Sequence, residues 1–125
     1  MDYLVRHQKI LHRKKYSKVQ RTQKTGQRKK KYTAALKLGT EYLEKIPNHH
    51  NVLFIVGRIH YMKNKYKIAV SYFDRSLEID SHDIDVLLLK AYSHQKLGEN
   101  KRVIQFCEKI LEIVPKNKAV SELLE

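Results

Sequence analysis

From His50 to Asn117 the apolar positions recur at steps of three and four, and the whole arrangement is written twice at an offset of 34 residues. Leu53, Val56, Gly57 and His60 share one helical face, and after a polar break at Asn64-Lys65 a second face follows in Ala69, Phe73, Ser76 and Leu77. The next copy aligns Leu87 with Leu53, Ala91 with Gly57, His94 with His60, Val103 with Ala69, Ile104 with Val70 and Leu111 with Leu77, with its break at Gly98-Glu99. A single helix hairpin cannot cover its own apolar face, so a fixed period of this kind predicts hairpins that stack on one another. The small residues Gly57, Ala69 and Ala91 stand where two helix backbones have to approach closely.

One period earlier, Tyr32, Ala35, Leu36, Leu43 and Pro47 match the second helix of a preceding copy, which makes two and a half repeats over residues 32–117. Helices are predicted near Tyr32–Ile46, His50–Lys63, Lys65–Ile79, Asp83–Leu97 and Asn100–Val114. Asn48, Ser81 and Asp83 are candidate caps, and Pro47 and Pro115 close their helices. Ala119, Val120, Leu123 and Leu124 give a last apolar face at Lys118–Leu124, suited to covering the final exposed interface of a stack. No strand pattern occurs, so the fold class is all-α.

Leu53, Val56, Gly57, Tyr61, Tyr66, Ala69, Phe73 and Asp80, followed by Leu87, Ala91, Gly98 and Pro115, occupy signature positions that resemble those of the tetratricopeptide repeat family. The pattern departs at Asn100, Val103 and Cys107, and Ser81 stands where proline is usual. The resemblance implies a right-handed stack of antiparallel helix hairpins, an α-solenoid over residues 32–125, preceded by a basic arm or helix at 1–31. It also implies that the first helix of each repeat lines a concave groove able to hold a protein segment. The groove-facing positions are then Asn51, Phe54, Arg58, Tyr61 and Met62, continued by Asp85, Leu88, Tyr92, Gln95 and Lys96. Phe54, Arg58 and Tyr61 lie on a different face from the Leu53, Val56, Gly57, His60 stripe, although Phe54, Tyr61, Leu88 and Tyr92 could equally pack between repeats. Family members that grip a terminal carboxylate use Lys and Asn. Gln20, Lys24, Ile55 and Arg58 stand at those places, so that clamp is not expected.

Charge adds a second feature. Residues 1–37 hold 13 Lys or Arg against Asp2 alone, whereas residues 38–125 hold 13 basic and 12 acidic residues. A one-sided block of this kind is an electrostatic footprint for a polyanion. Leu4, Leu11 and Val19 with Val5 and Tyr16 permit a helical stripe over about Tyr3–Lys24, interrupted at Gly26. Arg6, Lys9, Arg13, Lys14, Lys15, Lys18, Arg21 and Lys24 would cover its outer surface, and the tract Arg28, Lys29, Lys30, Lys31 would fall in the turn before the first repeat helix. Lys and Arg displace condensed counterions from phosphates, and Tyr3 and Tyr16 could stack on unpaired bases. A solvated terminus, an acidic protein surface, an anionic membrane and a bipartite nuclear-import signal (Arg13–Lys15 with Arg28–Lys31) are the competing readings of the same charges.

The remaining residue types narrow the chemistry. Cys107 is the only thiol and sits on an apolar stripe, which removes disulfide frameworks and cysteine metal sites and suits a reducing compartment. Seven histidines invite a metal hypothesis, but neighbours such as His49-His50 point apart and no carboxylate stands at ligand spacing in sequence, so neither metal nor cofactor is expected. No nucleophile beside a base and no glycine-rich phosphate loop is visible. The expectation is a non-catalytic, soluble, cytoplasmic scaffold, nuclear if the source is eukaryotic. It would join a protein segment in the groove to structured RNA or a ribonucleoprotein such as the ribosome on the arm, with a pure protein adaptor as the alternative.

Overall fold

The computed structural model describes residues 29–125, with side chains from Lys31 onward. The helix expected over Tyr3–Lys24, and the arm cations from Arg6 to Arg28, lie outside the described residues. Within them the chain forms six helices: α1 (Lys29–Lys45), α2 (His50–Met62), α3 (Tyr66–Ile79), α4 (Ile84–Lys96), α5 (Asn100–Ile113) and α6 (Lys118–Leu124). One boundary differs in substance from the sequence reading. Lys29, Lys30 and Lys31, expected in the turn before the first helix, are instead its opening residues. Lysine is a good helix former, and no Gly or Pro separates Lys29 from Tyr32 to stop the helix there.

The hairpins close by one device used twice. Asn64 and Gly98, which are 34 positions apart, both adopt left-handed backbone, with φ of 63° and 75°. At each turn the chain folds back on the end of the preceding helix. Lys65 N donates to His60 O at 2.9 Å and Asn64 N to Tyr61 O at 3.0 Å, while Glu99 N donates to His94 O at 2.9 Å and Gly98 N to Gln95 O at 3.1 Å. These paired bonds satisfy carbonyls that the helix end would otherwise leave open. Glycine adopts this conformation at no steric cost, and asparagine is among the few side chains that tolerate it.

Each helix packs on the next in chain order. Beyond that, α2 touches α4 and α4 touches α6, whereas α1, α3 and α5 do not meet one another. The first helices of successive repeats therefore form the inner layer, and the second helices are splayed on the outer one. The core runs through the stack as linked clusters. Tyr42, Leu43, Val52, Leu53 and Val56 join α1 to α2, Phe73 and Val86 join α3 to α4, and Leu87, Val103, Cys107, Ile110 and Val120 join α4 to α5 and α6. Ala35, Ala69 and Ala91 are completely buried. A Cβ placed on Gly57 would stand 2.6 Å from Phe73 Cε1 and 3.1 Å from Tyr72 Cβ, which locates the α2–α3 crossing at the glycine.

Alternation of direction gives the stack two unlike edges. The starts of α1, α3 and α5 and the ends of α2 and α4 meet at one edge; the starts of α2, α4 and α6 meet at the other. At the second edge every helix start carries a side-chain cap: His49 Nδ1 accepts from Val52 N at 3.3 Å, Asp83 Oδ1 from Asp85 N at 3.0 Å and Val86 N at 3.3 Å, and Asn117 Oδ1 from Val120 N at 3.1 Å. The cap of α2 is thus His49 and not Asn48, and that of α4 is Asp83 and not Ser81. At the first edge Lys65 and Glu99 precede α3 and α5 and make no side-chain cap bond.

Candidate protein-binding groove

The inner layer carries a cleft of about 380 Å³ between α2 and α4, lined by Phe54, Arg58, Asp85, Leu88, Leu89 and Tyr92. Its floor is apolar and aromatic, and Arg58 and Asp85 bring opposite charges to it. Phe54 is half-buried and belongs to both cleft and core, since its ring lies 6.2 Å from that of Phe73. Tyr92 is half-buried and takes part in none of the buried clusters. Of the positions that sequence pointed to, Phe54, Arg58, Leu88 and Tyr92 come together here, with Asp85 beside them. Tyr61 instead packs against the Ala69, Phe73, Val86 cluster, edge to face with Tyr66 at 5.4 Å, and burial raises the pKa of its phenol. Met62 packs beside Ala35, Ile55 and Ile59. Asn51, Gln95 and Lys96 are exposed and do not line the cleft. Leu89 escaped sequence reading because it follows Leu88 directly. Only the crossing of α2 and α4 decides which of two adjacent leucines meets the opening.

A second polar constellation lies where α2, α3 and the start of α4 converge. His50 Nε2 lies 2.6 Å from Asp83 Oδ2, and His50 Nδ1 lies 2.9 Å from Ser76 Oγ and 3.2 Å from Ser76 O. Sequence reasoning found no carboxylate near these histidines and no nucleophile beside a base. The fold corrects both, because Ser76 and Asp83 are 26 and 33 residues away from His50 in the chain. The chain of Ser, His and carboxylate is not an active centre. Ser76 is fully buried, with its hydroxyl also 3.2 Å from His50 O, so no substrate atom can approach it. Ligand atoms of His50, Asp80 and Asp83 fall within 4.8 Å of one another. Two ligands of one tetrahedral zinc ion stand about 3.3 Å apart at bond lengths of about 2.0–2.1 Å, whereas the 2.6 Å between His50 and Asp83 is a hydrogen-bond distance. The constellation reads as a polar bridge across three helices.

The histidines in the repeated slot serve packing. His60 stacks on Tyr72 with centroids 5.5 Å apart and planes 9° apart, and His94 stacks on Phe106 at 5.4 Å and 5°. Lys90 lies over the outer face of Phe106 and is paired with Asp74. Burial lowers the pKa of both imidazoles. Lys65 and Lys63 add to the effect at His60, while Glu99, 3.6 Å from His94 Nδ1, partly opposes it at His94. The Cys107 thiol is buried, which raises its pKa and keeps it inert.

Residues 28–118 match the family model described as anaphase-promoting complex, cyclosome, subunit 3, a model of tetratricopeptide repeat type. The chain belongs to that family. Its tetratricopeptide stack resembles the first such domain of Spaghetti (RPAP3), solved bound to the HSP90 peptide SRMEEVD, with a TM-score of 0.76 at 14% identity, covering 87% of this chain and 86% of that one. It also resembles MamA of AMB-1 in two crystal forms. One gives a TM-score of 0.62 at 23% identity, covering 66% of this chain and 48% of MamA; the other gives 0.65 at 21%, covering 77% and 52%. The tetratricopeptide chain thus spans about half the length of MamA. No curated protein matches it. Among the described residues no helix is long and apolar enough to cross a membrane.

Proposed function

We propose that the chain is a non-catalytic scaffold whose inner cleft holds a segment of a partner protein. The observation that carries this is the cleft between α2 and α4, where Phe54, Leu88, Leu89 and Tyr92 form an apolar floor with Arg58 and Asp85 at its sides. Aromatic and arginine side chains around a desolvated pocket are the usual anchors of an interface. A peptide on a structurally similar domain and a family description that names a subunit of a multiprotein assembly both favour the reading. The segment that fits carries one large apolar side chain flanked by charges complementary to Arg58 and Asp85. Selection from a displayed random-peptide library tests it: the wild-type chain enriches such peptides, and Tyr92→Ala and Arg58→Ala lose the enrichment while keeping helical content and thermal midpoint. Enrichment that is absent, or untouched by both substitutions, overturns the reading.

A second reading concerns residues 1–37, whose 13 cations face one carboxylate. We propose that this arm binds a polyanion, RNA above all, because counterion release makes such contacts strong and steeply salt-dependent. Affinity for an RNA oligonucleotide measured against ionic strength, with and without neutralised arm cations, is the test. A flat salt response speaks for contact with protein alone.

A further inference from the structure

Residues 38–125 are nearly neutral, but folding sorts their charges. At the edge where α1, α3 and α5 begin, residues 29–31, 62–67 and 96–102 hold nine Lys or Arg against Glu99 alone. At the opposite edge, residues 44–50, 78–85 and 112–118 hold six carboxylates against three lysines. The one carboxylate of the basic edge is already engaged, with Arg102 Nε 3.2 Å from Glu99 Oε2. Among the described residues Lys63, Lys65, Lys67, Lys96 and Lys101 enter no ion pair, and all but the half-buried Lys63 are exposed. A recess of about 420 Å³ opens on this edge, lined by Gly98, Glu99, Asn100, Lys101 and Arg102. The two helix starts described there, those of α3 and α5, carry no side-chain cap and no acidic residue in their first turns. Like charges gathered this way repel one another, and a solvated surface has no reason to segregate them.

We propose that this edge is a track for the phosphate backbone of a nucleic acid, continuing the basic arm, which joins it at Lys29. The proposal rests on the polyanion reading for its class of ligand and adds that the repeats themselves take part. Three clusters succeed one another along the edge, about one helix diameter or ~10 Å apart. Phosphates at uniform linear density match such a run along its whole length, whereas an acidic peptide matches it only with unbroken carboxylates. The partly buried Tyr61–Tyr66 pair at the same edge offers ring surface on which an unpaired base can stack.

The test uses the full chain with Lys65→Gln, Lys67→Gln, Lys96→Gln and Lys101→Gln combined, its fold checked by helical circular dichroism and thermal midpoint. Binding of a fluorescent single-stranded RNA oligonucleotide and of its duplex is followed by anisotropy across a salt series. At roughly 0.7–0.9 per phosphate contact, the log–log salt slope of the variant falls by up to about 3, with affinity at low salt weakened at least ~10-fold. Lys45→Gln with Lys116→Gln and Lys118→Gln, on the opposite edge, is expected to bind like the wild type; an equal loss would mean that net charge alone matters and overturns the track. Unchanged binding by the four-lysine variant, with loss on neutralising Arg13, Lys14 and Lys15, overturns the track and leaves the arm reading standing. No RNA binding by the wild type removes both. Poly-glutamate bound as tightly, with the same dependence on the four lysines, overturns the nucleic-acid assignment in favour of an acidic protein.

Discussion

A single hydrogen in place of a side chain at Gly57 sets the distance between α2 and α3, because Phe73 fills the space that a Cβ would enter. Gly57→Leu is expected to destabilise the chain by ~1–3 kcal/mol in denaturant unfolding, since Phe73 is fully buried and has nowhere to swing. An unchanged midpoint would show that the crossing lies elsewhere. The position was legible in sequence, because alanine alone replaces it in the next copy. The chemistry of the His60 and His94 slots was legible only as packing, since the flat stacks on Tyr72 and Phe106 depend on contacts across helices. Their lowered pKa values fix a sign. The unfolded chain takes up protons near 6.5, while the folded one holds both rings neutral to lower pH. Stability is then full above pH 6.5 and falls as pH drops below it, until the native imidazoles protonate too. Thermal midpoints of wild type and a His60→Phe, His94→Phe double variant between pH 7.5 and 5 (on the order of the model histidine range) should converge in slope only if other groups dominate; the double variant is expected to be flatter.

At the level of elements, period and breaks located the repeat helices to within a residue or two, and the turns at Asn64 and Gly98 were visible as the polar breaks they are. Caps were less visible. His49 caps through a ring nitrogen that no propensity scale favours at that position, and the start of α1 was obscured by lysines that suit a helix as well as a loop. Asp83 does two jobs: one carboxylate oxygen receives two amides of α4 and the other meets His50. Asp83→Ala is expected to cost more than the ~1 kcal/mol of a lost cap, because His50 loses its partner as well. Asp83→Asn keeps the cap and weakens only the contact with His50, so it should fall between the two in urea unfolding. If Asn and Ala cost the same, the cap contributes little and the polar bridge accounts for the loss.

For the whole molecule, contacts between neighbouring helices make stability close to a sum of adjacent interfaces. Native-state amide exchange should therefore be slowest in α2 and α3, flanked on both sides, and fastest in α6, a seven-residue helix that packs only on α4 and α5. Uniform protection from α1 to α6 would show that the stack opens only as one unit. This scale was the least legible in sequence: the inner cleft, the two edges and the His50 bridge all join residues that are distant in the chain. One of these has a consequence for how the copies relate. Shifted by 34 positions, His50, Ser76 and Asp83 become Ile84, Ile110 and Asn117, and there Ile84 packs against the apolar cluster that holds Ile110. One junction of the stack is thus a polar lock and the next an oily seam. A chain with its two hairpins transposed would set imidazole and carboxylate against isoleucine at both joints, so the copies, alike in outline, are not interchangeable parts and their order is written into the junctions.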